Sequence, residues 1–102
     1  MDYHECQLDA LGDPTRRAIL ARLASGPLAV GELAGHFPMS RPAISQHLRV
    51  LKQARLVTDT AVGTRRMYAV DLDSLDALRR YFDQFWGSAL ASFKTRMERK
   101  KR

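Results

Sequence analysis

Apolar residues recur every three to four positions along most of the chain, which is the spacing of helices that bury one side. This pattern predicts helices over residues 3–11, 30–36 and 40–54. Another helix is expected to begin after Asp13 and to stop at Gly26-Pro27, because a glycine and a proline there follow the last apolar position.

Residues that favour helix starts support these boundaries. Asp13 and Ser40 suit N-caps, whose side chains accept hydrogen bonds from free backbone N–H groups, and Pro14 takes a first helical position, where no N–H is needed. The apolar residues expected to face inward from the second and third helices are Ala18, Ile19, Leu20, Leu23, Val30, Leu33, Ala34 and Phe37.

After the fourth helix the apolar positions alternate with polar ones, which is the period of a strand. Residues 56–61 and 65–70 are predicted to form two short strands, with residues 62–64 as the hairpin turn between them. Arg65 and Arg66 follow this turn directly, so the tip of the hairpin is basic.

A last, long helix is predicted from about Ser74 to Met97, with Asp73 as its cap. Its apolar side is broad and aromatic, and a chain of 102 residues has too little other surface to cover it. We therefore expect this side to contact a partner chain. The residues assigned to the interface, two of them from the first helix, are Leu8, Leu11, Leu78, Phe82, Phe85, Trp86, Ala89 and Phe93.

The exposed side of the helix over 40–54 is unusual. With Ile44 at the centre of the buried stripe, the opposite side carries amides, cations and a flanking hydroxyl but no carboxylate. Gln and Arg can pair bidentately with adenine and guanine in the major groove, while hydroxyls and cations suit phosphates. Together with the basic hairpin, this side predicts a DNA-contacting surface. Its predicted members are Ser40, Arg41, Pro42, Ser45, Gln46, His47, Arg49, Lys52, Arg65 and Arg66.

Three basic residues have more than one interpretation. His47 lies at the edge of the buried stripe, so it either packs beside the core or contacts a phosphate. Arg16 and Arg17 open the second helix, where the helix dipole disfavours cations. Either a phosphate or an acid of a neighbouring chain is expected to hold these two arginines.

Two short helices, the second with a polar outward side, followed by a basic hairpin are typical of the winged helix-turn-helix fold. The predicted fold class is mainly α with a small β-hairpin. The length allows a single core, so residues 1–97 are assigned to one domain that binds DNA and dimerises. Residues 98–102 are expected to form a basic, flexible tail.

The net charge of +6 is unevenly distributed. Residues 1–13 carry four acids and no Lys or Arg, residues 14–58 carry seven Lys or Arg and one acid, and residues 72–102 carry eight Lys or Arg and four acids. A basic centre and a basic end favour a polyanionic partner such as double-stranded DNA.

Composition also bears on compartment and cofactors. No apolar run approaches the ~20 residues of a membrane span, and the first residues are acidic, unlike a signal peptide. Cys6 is the only cysteine, which rules out an internal disulfide and favours the cytoplasm. His4, Cys6 and His36 lack the spacing of metal ligands, so neither a metal nor a cofactor is expected.

The sequence resembles the small ArsR/SmtB-type bacterial transcriptional repressors over nearly its whole length. The final helix, with FDQFW at 82–86, looks like the members that lack metal sites. The other matching segments are ALGDPTRRAIL (10–20), LAVGELA (28–34), SRPAISQHLRVLK (40–52), ARLV (54–57) and GTRRMYAV (63–70).

This resemblance implies a homodimer joined through the first and last helices, with the helix over 40–54 of each chain in a DNA major groove and each wing along the flanking backbone. It implies repression of a promoter that ends when a signal arrives, and it favours a phosphate contact for His47. The function expected is therefore that of a homodimeric repressor of an inverted-repeat operator.

The chain departs from the metal-sensing members of that family. Its third helix, AVGELAGHF, has no Cys-x-Cys, and residues 72–102 contain no histidine or cysteine. The inducer therefore stays open between a hydrophobic small molecule, a thiol switch at Cys6, and none at all.

Two other classes of function are less well supported. A winged helix that binds protein would carry acids or an apolar patch on the outward side of the helix over 40–54, and neither is present. An enzyme would need a glycine-rich phosphate loop, a metal-ligand cluster or a nucleophile with its base, and the sequence contains none that can be named.

Overall fold

The computed structural model describes residues 3–100, and the helices and the small sheet in this range follow the predicted order. Residues 1–2 and the last two residues of the predicted tail, 101–102, lie outside this range. The elements are α1 (Tyr3–Leu11), α2 (Pro14–Leu23), β1 (Leu28–Ala29), α3 (Val30–Ala34), α4 (Arg41–Gln53), β2 (Val57–Val62), β3 (Arg65–Val70) and α5 (Leu72–Lys100).

The core is built around α4. Ile44, Leu48 and Leu51 are fully buried, which confirms the predicted apolar stripe of this helix. Residues from every other helix surround the stripe, so α4 is fixed in rotation about its own axis. The other members of the buried cluster are Ala10, Ile19, Leu20, Leu23, Leu33, Ala54, Leu56, Val57 and Leu78.

Two expectations about α2 and α3 are wrong in detail. Ala18 is exposed, because the buried side of α2 is formed by Ile19, Leu20 and Leu23. The third helix stops at Ala34 because the N–H groups of His36 and Phe37 donate to carbonyls three residues back, which tightens the chain into a turn.

The helix caps agree with two of the three predictions. Asp13 accepts from the backbone N–H groups of Thr15 at 2.7 Å and Arg16 at 3.2 Å. Ser40 Oγ accepts from the N–H of Ala43 at 3.3 Å. Asp73 is not the cap of α5, because the helix begins at Leu72 and the N–H of Ser74 donates to Asp71 at 3.1 Å.

The hairpin has the predicted strands, shifted by one residue at the ends of β2. Val57 pairs with Val70 at one end and Val62 with Arg65 at the other, which leaves a two-residue turn. Gly63 begins this turn with a φ of 63°, a conformation that glycine adopts without steric cost. The sequence did not predict β1, which pairs with β3 and completes a three-stranded antiparallel sheet in the order β1-β3-β2.

The connection from α4 to the hairpin has a defined geometry. The N–H of Leu56 donates to the carbonyl of Leu51 at 2.9 Å, and that of Arg55 to the carbonyl of Lys52 at 3.0 Å. These two bonds form a Schellman motif, with Arg55 at the left-handed position at φ 59°. Its guanidinium lies 4.5 Å from the centre of the Tyr3 ring, a cation–π contact that also joins α1 to this turn.

Most of α5 extends away from the rest of the molecule. Only Leu78 of this helix is buried, and every residue from 83 to 100 is exposed. The radius of gyration is 17.9 Å, compared with about 13 Å for a compact chain of this length. Within residues 3–100, no helix is long and apolar enough to cross a membrane.

The two arginines at the start of α2 bind the end of α1. Arg16 Nε donates to the carbonyl of Ala10 and Arg17 Nη1 to that of Leu11, each at 2.6 Å. Arg16 also lies 3.8 Å from the Asp13 carboxylate. The carbonyls at a helix end lack partners within the helix and attract cations. These contacts lie within the chain and differ from both interpretations offered by the sequence.

Replacing Arg16 by Ala should lower the free energy of unfolding by about 1.5–3 kcal/mol, since the carbonyl of Ala10 loses a charged donor at the partly buried junction of α1 and α2. Arg17→Ala is the matched control, because it removes the same kind of bond at an exposed position and should cost less than about 1 kcal/mol. Urea unfolding followed by circular dichroism measures both. An equal or larger loss of unfolding free energy in Arg17→Ala would contradict this account of the junction between α1 and α2.

Candidate nucleic-acid interface

The α3–α4 pair forms the helix-turn-helix, and the segment that connects the two helices packs against the core. Phe37 and Met39 of that segment are half-buried against the core. Ser40 then caps α4, and the first two residues of this helix, Arg41 and Pro42, are exposed. The end of α4 nearest the turn is therefore exposed and favourable to anions.

The outward side of α4 has the predicted composition. Pro42, Ser45, Gln46 and Arg49 are all exposed, and the helix contains no Asp or Glu. Within residues 3–100, neither Gln46 nor Arg49 is held by a hydrogen bond or an ion pair of the chain. Their amide and guanidinium groups can therefore form bidentate pairs with base edges in a major groove.

Two further predicted residues lie at the start of α4. The guanidinium of Arg41 lies over Gly31 of α3, beside the helix N-terminus. Ser40 uses its hydroxyl oxygen as the cap acceptor, and its O–H can still donate to an outside group. Both side chains are exposed, which suits phosphate contact.

His47 is half-buried, and it lies close enough to Asp13, the cap of α2, to act on that carboxyl electrostatically. The backbone N–H of Arg16 is the main cause that lowers the pKa of Asp13, and the charges of Arg16 and His47 add to it. Partial burial is compatible with both interpretations from the sequence, so the phosphate contact of His47 stays a prediction.

Three of the predicted DNA-contacting cations are bound to acids of the same chain. Lys52 Nζ lies 2.8 Å from Asp59 Oδ1, and Arg66 Nη1 lies 2.8 Å from Asp59 Oδ2. Arg65 pairs with Glu32 of α3. The side chains of all three cations remain about half exposed, at 53%, 55% and 53%. Each can still reach a phosphate, but in competition with its acid.

Asp59 has a distinct electrostatic environment. The hydrogen bond from Lys52 is the main cause that lowers the pKa of this carboxyl, Arg66 adds to the effect, and burial opposes it. The carboxylate is therefore ionised at neutral pH and its side chain is only 9% exposed. Neither Asp59 nor Glu32 was among the residues predicted from the sequence, although Glu32 is the only acid between residues 14 and 58.

The predicted interface residues fall into three groups. Leu78 is buried in the chain's own core, so this side chain has almost no surface left for a partner. The residues that are half-buried against that core are Leu8, Leu11 and Phe82. The residues that stand exposed on the free part of α5 are Phe85, Trp86, Ala89 and Phe93.

The described residues contain no group of three His, Cys, Asp or Glu side chains arranged to hold a metal ion. His36 instead lies 3.0 Å from the guanidinium of Arg22. His4 stacks on Tyr81 of α5, with ring centres 4.4 Å apart.

Comparison with known proteins identifies the family. The family model described as bacterial regulatory protein, arsR family, matches residues 13–59, from the cap of α2 to Asp59. The HTH-type transcriptional regulator Rv2034 of Mycobacterium tuberculosis is 62% identical over 84 residues, which cover 82% of this chain and 78% of that protein. The transcriptional repressor SdpR of Bacillus subtilis is 44% identical over 62 residues, which cover 61% and 69%.

Solved structures agree with this assignment. A possible transcriptional regulator for arsenical resistance is 51% identical, with a TM-score of 0.72 over 78% of this chain and 83% of that one. A homodimeric winged helix-turn-helix DNA-binding domain from Mycobacterium bovis is 30% identical, with a TM-score of 0.68 over 86% and 79%. The predicted fold class is confirmed, and the chain belongs to the ArsR family of winged helix-turn-helix transcriptional regulators.

Proposed function

We propose that the protein is a cytoplasmic homodimeric repressor that binds an inverted-repeat operator, without enzymatic activity of its own. The observation that carries this proposal is the outward side of α4, which is exposed, free of carboxylates and followed along the chain by the wing, the hairpin of β2 and β3 with its basic tip. A surface that must approach phosphates and base edges needs all three properties.

The assigned roles follow from position along this surface. Gln46 and Arg49, in the middle of α4, are proposed to contact bases. The residues proposed to contact phosphates are Ser40, Arg41, Ser45, His47, Lys52, Arg65 and Arg66, while Pro42 shapes the first turn. Phosphate contacts fix the register on the duplex, and base contacts supply the preference for sequence.

The long α5 supports a dimer. In proteins most of the stability of a helix comes from packing of its apolar side, and over residues 83–100 the aromatic side of α5 is exposed. Phe85 and Trp86 are 56% and 55% exposed and contact each other edge to face. A second copy of α5 would cover these side chains, and the Mycobacterium bovis neighbour is described as homodimeric.

Repression is supported by a relative. SdpR is described as a transcriptional repressor, and its similarity covers 61% of this chain. A dimer with two α4 helices on one face of the duplex would cover a stretch of DNA long enough to exclude other proteins.

Selection from random duplexes tests the operator geometry. Two α4 helices related by a twofold axis should select imperfect inverted repeats whose half-site centres lie about one helical turn apart, roughly 34–36 Å. Sequencing of the bound duplexes gives the motif, and a footprint on it gives the spacing. Selection of single, asymmetric sites would contradict dimeric recognition.

The dimer interface is tested by Phe85→Glu. Burial of an unpaired carboxylate against a second α5 is strongly unfavourable, so this variant should sediment as a monomer where the unchanged protein is a dimer. Phe85 is a better site than Phe82, because Phe82 also packs against the chain's own core.

The matched control is Ala91→Glu, which places the same charge opposite the middle of the aromatic side of α5, counting about 100° per residue. Ala91 is exposed, so this variant should remain dimeric. Circular dichroism and thermal unfolding show whether each variant is folded. A folded Phe85→Glu protein that dimerises as tightly as Ala91→Glu would remove this side of α5 from the interface.

A further inference from the structure

Asp59 occupies the junction between α4 and the wing. In the hairpin register it lies opposite Tyr68, and Arg66 lies two residues before Tyr68 on β3. Side chains at this diagonal point to the same face of a sheet and lie within reach of each other when one is long. The short bond between Arg66 and Asp59 is therefore fixed by the strand pairing as well as by charge.

The same carboxylate also reaches back to α4. The Schellman turn at Arg55 reverses the chain between Lys52 and β2, and this brings Lys52 Nζ to 2.8 Å from Asp59 Oδ1. Each carboxylate oxygen thus holds one cation, one from α4 and one from the wing. No other described acid joins these two elements.

Burial separates this contact from ordinary surface ion pairs. The Asp59 side chain is 9% exposed, whereas the Glu32 side chain paired with Arg65 is 48% exposed. Water and salt screen an exposed pair much more than a shielded one. Of the two acids beside the wing, Asp59 therefore exerts the stronger restraint on its cations.

We propose that Asp59 is a positioning residue that increases the discrimination between operator and non-specific DNA. It holds Lys52 and Arg66 at a fixed separation and competes with phosphates for both. This inference rests on the proposed function, because it assigns Asp59 a role in DNA recognition.

The expected effect on specificity follows from the nature of the two complexes. Non-specific binding depends almost entirely on phosphate contacts, so a restraint on two cations weakens it most. Binding to the operator also includes base contacts, proposed for Gln46 and Arg49, which Asp59 does not touch. The acid therefore lowers non-specific affinity more than it lowers operator affinity.

Asp59→Asn tests the proposal, since it removes the charge and keeps the shape. The variant should bind a random-sequence duplex at least about threefold more tightly, and the slope of log affinity against log salt should steepen by up to ~1.8, or about 0.9 for each released cation. Affinity for the selected operator should rise less, so the ratio of the two affinities should fall.

Asp76→Asn is the matched control. Asp76 binds Arg79 at 2.8 Å and Arg80 at 3.5 Å on α5, so its loss makes the same change in net charge and also removes an acid from two arginines. The salt slope should change little in this variant. A change as large as that of Asp59→Asn would show that net charge alone is responsible, and this would overturn the proposal.

A measurement without DNA separates this proposal from the proposed function. In Asp59→Asn, backbone hydrogen exchange across β2 and β3 should be faster than in the unchanged protein, because one tie between the wing and α4 is lost. Asp59→Ser should act in the same direction and serves if the Asn variant does not fold. Unchanged exchange together with an unchanged salt slope would overturn the role of Asp59, whereas an unchanged protein that binds no DNA would overturn the proposed function.

Discussion

The burial of Ile44, Leu48 and Leu51 on one side of α4 is the constraint on which the rest of the structure depends. Each of these side chains contributes about 1.5–3 kcal/mol when it leaves water, and together they allow α4 only one rotation about its axis. That rotation places Gln46 and Arg49 outward. The same contacts that stabilise the domain therefore determine which side chains can reach DNA.

The wing and α5 are positioned by separate contacts with the core and with α4. The turn after α4 sets the direction of β2, and the bonds of Asp59 then tie the wing to α4. At the other side, Leu78 anchors α5 in the core while residues 83–100 extend outward. The surfaces proposed for recognition and for dimerisation are thus separate, and a rigid connection through the core would set the distance between two α4 helices.

Features encoded by local pattern could be predicted from the sequence, and features that depend on distant contacts could not. The stripe of α4 and the caps at Asp13 and Ser40 follow from spacing and residue type. In contrast, β1 has only two residues and exists through its pairing with β3. The ion pairs of Asp59 and Glu32 likewise require the fold, because alternation in a strand gives the face of an acid but not its partner.

The central claim is that the outward side of α4 contacts bases while the wing contacts phosphates. The most direct test measures the affinity of Gln46→Ala, Arg49→Ala and Arg65→Ala for a series of operators with single base changes. Each α4 variant should lose about 1–3 kcal/mol on the operator and lose its preference at one position in each half-site. Arg65→Ala should weaken binding to every sequence alike and lower the salt slope by about one unit. A changed base preference in Arg65→Ala, with preference unchanged in both α4 variants, would contradict the account.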